Sequence, residues 1–221
     1  MARTVLFSDD AVANAINEKF EPVWVSVRPV PTVTIDFGNG KKLTRTLHGN
    51  VASYVLNADG TIVDILPGLY EGQEYKTKLE ELWQVHNDQL QTGNSVAFLS
   101  TYHRKQLAAI KSGVTLSSRK PMSNTVEHPD FNKPKALASW KKVKDDTDFN
   151  ESERRAQVHA MLAVRPNARP DEVTKKLYRE VLHADIDDPY MGLGPTLFDD
   201  YPFREDVPPE LRTSRLPATL Q

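Results

Sequence analysis

The residues best suited to chemistry in this 221-residue chain are its six histidines, at positions 48, 86, 103, 128, 159 and 183. No two stand four apart, the spacing that would set two imidazoles on one helical face to share a zinc ion. His183-Ala184-Asp185-Ile186-Asp187-Asp188 gathers an imidazole and three carboxylates, a donor set that suits a hard cation. The glycine and closing glutamate of a calcium loop do not follow, so the run reads as a solvated loop behind a helix. Walker, GxGxxG, HExxH and GxSxG patterns are absent. Cysteine is absent too, which removes disulfide scaffolds, zinc ribbons, iron–sulfur clusters and every thiol mechanism. No metal and no cofactor is expected.

Charge offers a second kind of chemistry. Residues 100–144 carry 10 basic and 2 acidic side chains, whereas the stretches before and after them are net −4 and −6. Tyr102, Phe131 and Trp140 are interspersed with those lysines and arginines, as phosphate contacts and base stacking would need. A pI of 6.3 and the lack of an RNP, KH or helix-turn-helix signature argue against nucleic acid as the partner. The basic segment can equally lie against the chain's own acidic tail. An apolar fraction of 39% with 26% charged residues supports a globular core. The apolar runs are far too short to span a membrane, and MARTVLFSDD lacks an apolar signal region. A cytoplasmic location is therefore expected.

The first hundred residues alternate between helix and strand signals. Ser8 is the expected N-cap of a helix whose apolar stripe is Val12, Ile16 and Phe20. Pro22 stops it, and the β-formers Val23 to Val27 predict a strand. Thr32–Phe37 and Lys42–Leu47 flank Gly38-Asn39-Gly40, and Ser53–Leu56 and Thr61–Leu66 flank Asn57-Ala58-Asp59-Gly60, so two hairpins are predicted. A helix from about Gln73 through Trp83 follows, with Tyr75, Leu79 and Leu82 on its inner face.

Beyond residue 84 the pattern is helical: Leu99, His103, Leu107 and Ile110 on a helix closed by Gly113, then a polar loop over about 114–135. Leu137, Trp140 and Val143 fit a short helix. Glu151–Val164 and Asp171–His183 are two further helices, the second buried through Val173, Leu177, Val181 and Leu182. Six of fifteen prolines lie between 189 and 221, which predicts an extended arm. The expected domains are 1–90, a helical extension over 91–184, and the arm over 185–221.

The order of elements over residues 5–83 resembles the thioredoxin superfamily. The resemblance rests on Gly49-Asn50-Val51-Ala52-Ser53-Tyr54-Val55-Leu56-Asn57-Ala58-Asp59-Gly60, which looks like a central strand returning through a tight turn as an edge strand. Ile62 to Tyr70 and the following helix continue the match, and FSDD-AVANAINEKFEPVWV looks like the first helix and first central strand of bacterial thioredoxin-like proteins. The implied fold is α/β, a central mixed sheet with flanking helices. Where the family carries Cys-x-x-Cys, this chain has Ser26-Val27-Arg28-Pro29, and Val51 or Ala52 stands in place of the family's cis-proline. Thiol–disulfide exchange is excluded.

A rebuilt site around Ser26, Arg28 and His48 is the alternative, either as an enzyme or as an anion binder through the Arg28 fork. No orienting carboxylate or nucleophile elbow accompanies these residues, and a non-catalytic role is the preferred expectation. The arm carries Tyr190, Met191, Leu193, Leu197, Phe198, Tyr201 and Phe203 in a stretch too broken to form its own core. It either packs back on the chain or binds a protein partner or second copy. The leading expectation is a redox-inactive interaction, accessory or assembly subunit.

Overall fold

A computed structural model of the chain describes residues 6–46, 51–113 and 143–191. It is a mixed α/β structure with two small antiparallel sheets, each of two strands. The chain divides into two compact units, residues 1–25 with 50–174 and residues 26–49 with 175–221.

The first unit opens with α1 (Asp10–Lys19), capped by Asp9 rather than Ser8. The Asp9 carboxylate accepts from the N–H groups of Ala11 and Val12, two of the free donors of the first turn. Val12 is buried, and Ile16 and Phe20 pack on the core, as their four-residue spacing implies. The expected strand at Val23–Val27 does not form: residues 21–27 have no regular secondary structure, and the central sheet it would have anchored is not present among the described residues.

Strands β3 (Ala52–Leu56) and β4 (Ile62–Pro67) form the hairpin expected there, with a register shift between Val55 and Leu56. All six residues of β4 are buried. Gly68 ends the strand at φ +84°, and a Cβ there would lie 2.7 Å from the Asn150 side-chain oxygen, so only glycine fits.

α2 (Gly72–Leu90) runs a further seven residues past Trp83. Nothing from Gln84 to Leu90 breaks a helix, and Val85 packs on the core while Gln84 hydrogen-bonds Asp88 one turn on. α3 (Ser95–Lys111) is capped by Asn94 and followed by Gly113 at φ +68°. Residues 143–149 are helical and lead through a π-helical turn, Asn150–Arg154, into α4 (Arg155–Val164). One apolar cluster joins Leu6, Val12, Val55, Val63, Leu66, Tyr70, Tyr75, Leu79, Leu82 and Leu99. Leu99 lies beyond the boundary expected at residue 90, so that boundary cuts a shared core.

In the second unit, β1 (Thr32–Asp36) pairs with β2 (Lys42–Thr46), with Gly38 and Gly40 at φ +72° and +80° in the turn. α5 (Pro170–Lys176) spans the chain's return to this unit and widens into a second π-helical turn, Leu177–Val181, ahead of His183 at φ +52°. Leu177, Val181 and Leu182 are buried as expected. The loop at 114–135 and the arm beyond Met191 lie outside the described residues. No helix among the described residues is long and apolar enough to cross a membrane.

Candidate functional site

The densest polar chemistry lies inside the first unit. Asp64 is the single charged residue of β4, so the strand that fills the core also carries a carboxylate into it. A buried carboxylate needs a cation and a full set of donors. α4 supplies the cation: Arg155, only 4% exposed, meets Asp64, 0% exposed, through two parallel contacts. Nη1 donates to Oδ1 at 2.7 Å and Nη2 to Oδ2 at 2.8 Å. Arg155 Nη1 also donates to the Ile65 carbonyl at 2.8 Å. The Ile65 N–H donates to Oδ1 at 2.7 Å, and the Tyr102 hydroxyl of α3 donates to Oδ2 at 2.9 Å. All four lone-pair positions of the carboxylate are thereby filled.

Two imidazoles complete the cluster. His103 follows Tyr102 on α3, and His159 stands one turn after Arg155 on α4. Their Nδ1 atoms lie 3.0 Å apart, so one donates and the other accepts. Neither Nε2 has a hydrogen-bond partner among the described residues. Burial pushes the His103 imidazole down to about 4, even though the Asp64 carboxylate pulls the other way. Burial and the nearby Arg155 guanidinium push His159 well below the usual range. Burial would raise the Asp64 carboxyl, but Arg155 and the imidazoles outweigh it and hold the group ionised far below the usual carboxylate range. Tyr102 is pushed well up by burial and by the Asp64 charge, so it remains a donor.

The cluster extends outward through Glu151. Tyr70 donates to Glu151 Oε1 at 3.0 Å, and Lys78 Nζ stands 3.0 Å from Oε2 of the same carboxylate. Burial would lower Lys78, but Glu151 and Glu81 more than offset it and keep the ammonium charged.

Asp64, His103 and His159 have the composition of a two-histidine, one-carboxylate metal set, with donor atoms within 4.8 Å of one another. The geometry does not favour that use. Arg155 already neutralises the carboxylate and engages both its oxygens, so a divalent ion would bring uncompensated positive charge into a buried site. The cluster instead joins β4, α3 and α4 as an ion pair packed against a neutral histidine pair.

The sequence-based candidates fall elsewhere. Ser26, Arg28 and Pro29 belong to the second unit, Val51 and Ala52 to the first, and His48 lies outside the described residues. Arg28 donates to the carbonyls of Asp188 at 2.6 Å, Ile186 at 3.1 Å and Pro189 at 3.4 Å, so the chain itself occupies much of its fork. The Val51 carbonyl accepts from the Gly68 N–H at 2.7 Å, and Ala52 pairs with Pro67 at the start of β3.

The acidic loop after His183 is matched by cations: Arg179 stands 2.8 Å from Asp185, and Lys175 stands 3.0 Å from Asp187. Of the arm residues expected to meet a partner, Met191 is buried within the chain itself and Tyr190 is half-buried. Leu193, Leu197, Phe198, Tyr201 and Phe203 lie outside the described residues.

The buried cluster was missed at the level of sequence, although a signal existed. A lone aspartate inside Ile62-Val63-Asp64-Ile65-Leu66 demands a buried cation, and Arg155 and His159 stand four apart on one helix. Comparison of the chain with protein-family models, with curated proteins and with solved structures gives no match.

Proposed function

We propose that the protein is a redox-inactive, non-catalytic interaction or assembly subunit whose residues 5–83 are a cysteine-free variant of a thioredoxin-like domain. The succession of α1, the β3–β4 hairpin and α2 supports that reading, although the strand it calls for at Val23–Val27 is not formed. One observation carries the interaction reading. Val23, Trp24 and Val25 are 81%, 61% and 72% exposed, in a run from Pro22 to Val27 that contains no charge. Large apolar side chains exposed to this degree, with Trp24 also in edge contact with Phe7, are the mark of a surface that another protein covers. The buried cluster points the same way, since its carboxylate and guanidinium are engaged with each other and with neighbouring groups.

The test is native mass. Isolated from its source cells, the protein is expected to carry a protein partner or a second copy in stoichiometric amount. It should lose that partner in Val23→Asp/Val25→Asp at an unchanged Tm. A variant that keeps the same partner at the same ratio overturns the reading.

A further inference from the structure

We propose that Asn39-Gly40, in the turn of the β1–β2 hairpin, is a self-modifying site. The Gly40 amide nitrogen attacks the Asn39 side-chain carbonyl carbon and converts the residue to aspartate and isoaspartate. Asn39 is the one asparagine among eleven that precedes a glycine. Glycine has no Cβ, so nothing on Gly40 shields the nitrogen that must reach the Asn39 side chain. The fold keeps it open: Gly40 is exposed, and a Cβ built on it would meet nothing within 4 Å. Among the described residues no hydrogen bond takes up the Gly40 N–H. The electrophile is prepared as well, because the Lys41 N–H donates to Asn39 Oδ1 at 3.1 Å. A donor on that oxygen draws charge from Cγ and stabilises the oxyanion that forms when a nucleophile adds there.

The chemistry needs only solvent water. The Gly40 nitrogen loses its proton and bonds to Cγ, the Cγ–Nδ2 bond breaks, and Nδ2 leaves as ammonia carrying a proton. The five-membered succinimide that results takes up water at either ring carbonyl. Opening at Cγ gives aspartate. Opening at the main-chain carbonyl gives isoaspartate, whose main chain is one methylene longer. One water is consumed, one ammonia is released and one negative charge is gained.

The turn of the other hairpin supplies the contrast. Asp59-Gly60 has the same layout, with Asp59 Oδ1 accepting from the Thr61 N–H at 2.8 Å. There the nucleophile is engaged. The Gly60 N–H donates to the Asn57 carbonyl at 2.9 Å, and Arg169 Nη1 lies 3.7 Å from where a Cβ would stand. The electrophile is disabled too, since a carboxyl group must be protonated to lose its oxygen as water. The Thr61 N–H holds the Asp59 carboxyl below the usual carboxylate range. The added methylene at Asn39 falls inside the loop closed by the Phe37 N–H on the Lys41 carbonyl at 3.1 Å. It therefore acts on the end of the exposed hairpin and leaves the buried one untouched.

The full chain, held folded in mildly alkaline buffer, is digested and its peptides are resolved by chromatography and mass. The peptide holding Asn39 should gain about 1 Da and split into two products. The isoaspartyl product should accept methyl groups from S-adenosylmethionine under a protein isoaspartyl methyltransferase. Conversion at Asn39 should run at least about ten times faster than at Asn57, Asn94 or Asp59. Asn39→Gln should remove the methyl acceptance, because glutamine would have to close a six-membered ring. In guanidinium chloride Asn39 should react within about fivefold of its folded rate, while Asp59 reacts faster than in the folded chain. An Asn39 that stays intact in the folded chain and reacts only on unfolding overturns the proposal, as does equal reaction at Asn57 or Asn94.

Discussion

The two hairpins are built to one local plan and end in opposite environments. β1–β2 and β3–β4 are both antiparallel pairs of five or six residues, and each turns through residues that accept positive φ. Yet β4 is buried along its whole length against α2 and α4, while Val33, Ile35, Phe37 and Leu43 of the first hairpin are exposed. Turn chemistry and β-propensity are enough to make a hairpin; they do not decide what covers it. Cover comes from helices outside the hairpin: α2, which follows it in the chain, and α4, far away in sequence. Under that cover a single carboxylate becomes costly unless a guanidinium meets it, and Asp64 and Arg155 are the result.

The largest effect should come from splitting that pair. Asp64→Asn or Arg155→Met leaves one buried group without its counterpart and should destabilise the fold by about 3–5 kcal/mol in urea titration. Asp64→Leu/Arg155→Met should be more stable than either single variant, yet stay about 1–3 kcal/mol below the parent, since the apolar pair needs no ion desolvation but leaves the Tyr102 hydroxyl and the Ile65 N–H without their acceptor. A double variant as unstable as the singles would show that the network does more than satisfy itself.

Acid should act on the same core. His103 is held at about 4 in the folded chain, against an ordinary imidazole near 6.5. Between those values the unfolded chain binds a proton that the folded chain refuses. Stability is therefore complete above about pH 6.5 and declines as pH falls toward 4, by on the order of 3 kcal/mol. The depressed Asp64 carboxyl adds a loss in the same direction at still lower pH. Chemical denaturation across pH 4–7 measures the slope, which His103→Leu/His159→Leu should flatten.

A smaller cost, about 1–3 kcal/mol, is expected for Gly68→Ala, whose Cβ meets Asn150 and whose φ is positive. Smallest of all is Ile35→Ala, within about 0.5 kcal/mol in the same assay, against roughly 2–5 kcal/mol for Ile65→Ala. Equal costs at the two isoleucines would show that the first hairpin is covered in solution and would end the contrast.

What was legible in the sequence follows the same division. Both hairpins, the stripes of α1 and α2 and the close of α3 at Gly113 depend on interactions within a few residues, and pattern reading found them. The N-cap was misplaced by one because Ser8 and Asp9 both cap well, and only geometry shows which oxygen reaches Ala11 and Val12. The strand at Val23–Val27 failed for another reason. β-propensity describes fit to a neighbouring strand, and among the described residues no neighbour is there. The Asp64 cluster joins residues up to 95 positions apart, a distance over which periodicity carries no information. The charge rule for an acid inside an apolar strand would have pointed to it.

The π-helical turn at Asn150–Arg154 has a consequence for how this chain tolerates insertion and deletion. The Arg155 N–H reaches back to the Asn150 carbonyl, five residues rather than four, so the helix holds one residue more than an α-helical turn would. That extra residue sets the phase between two halves of one rod. On one side, Asn150 donates to the Leu69 carbonyl at 2.7 Å; on the other, Arg155 and His159 face the core. Deleting exposed Ser152 would restore an ordinary helix and turn residues 143–151 by about 100° relative to α4. Asn150 would then swing off the strand end while the ion pair stayed in place. A one-residue length change here acts as a rotation, felt at Gly68 and Leu69 rather than at the point of deletion.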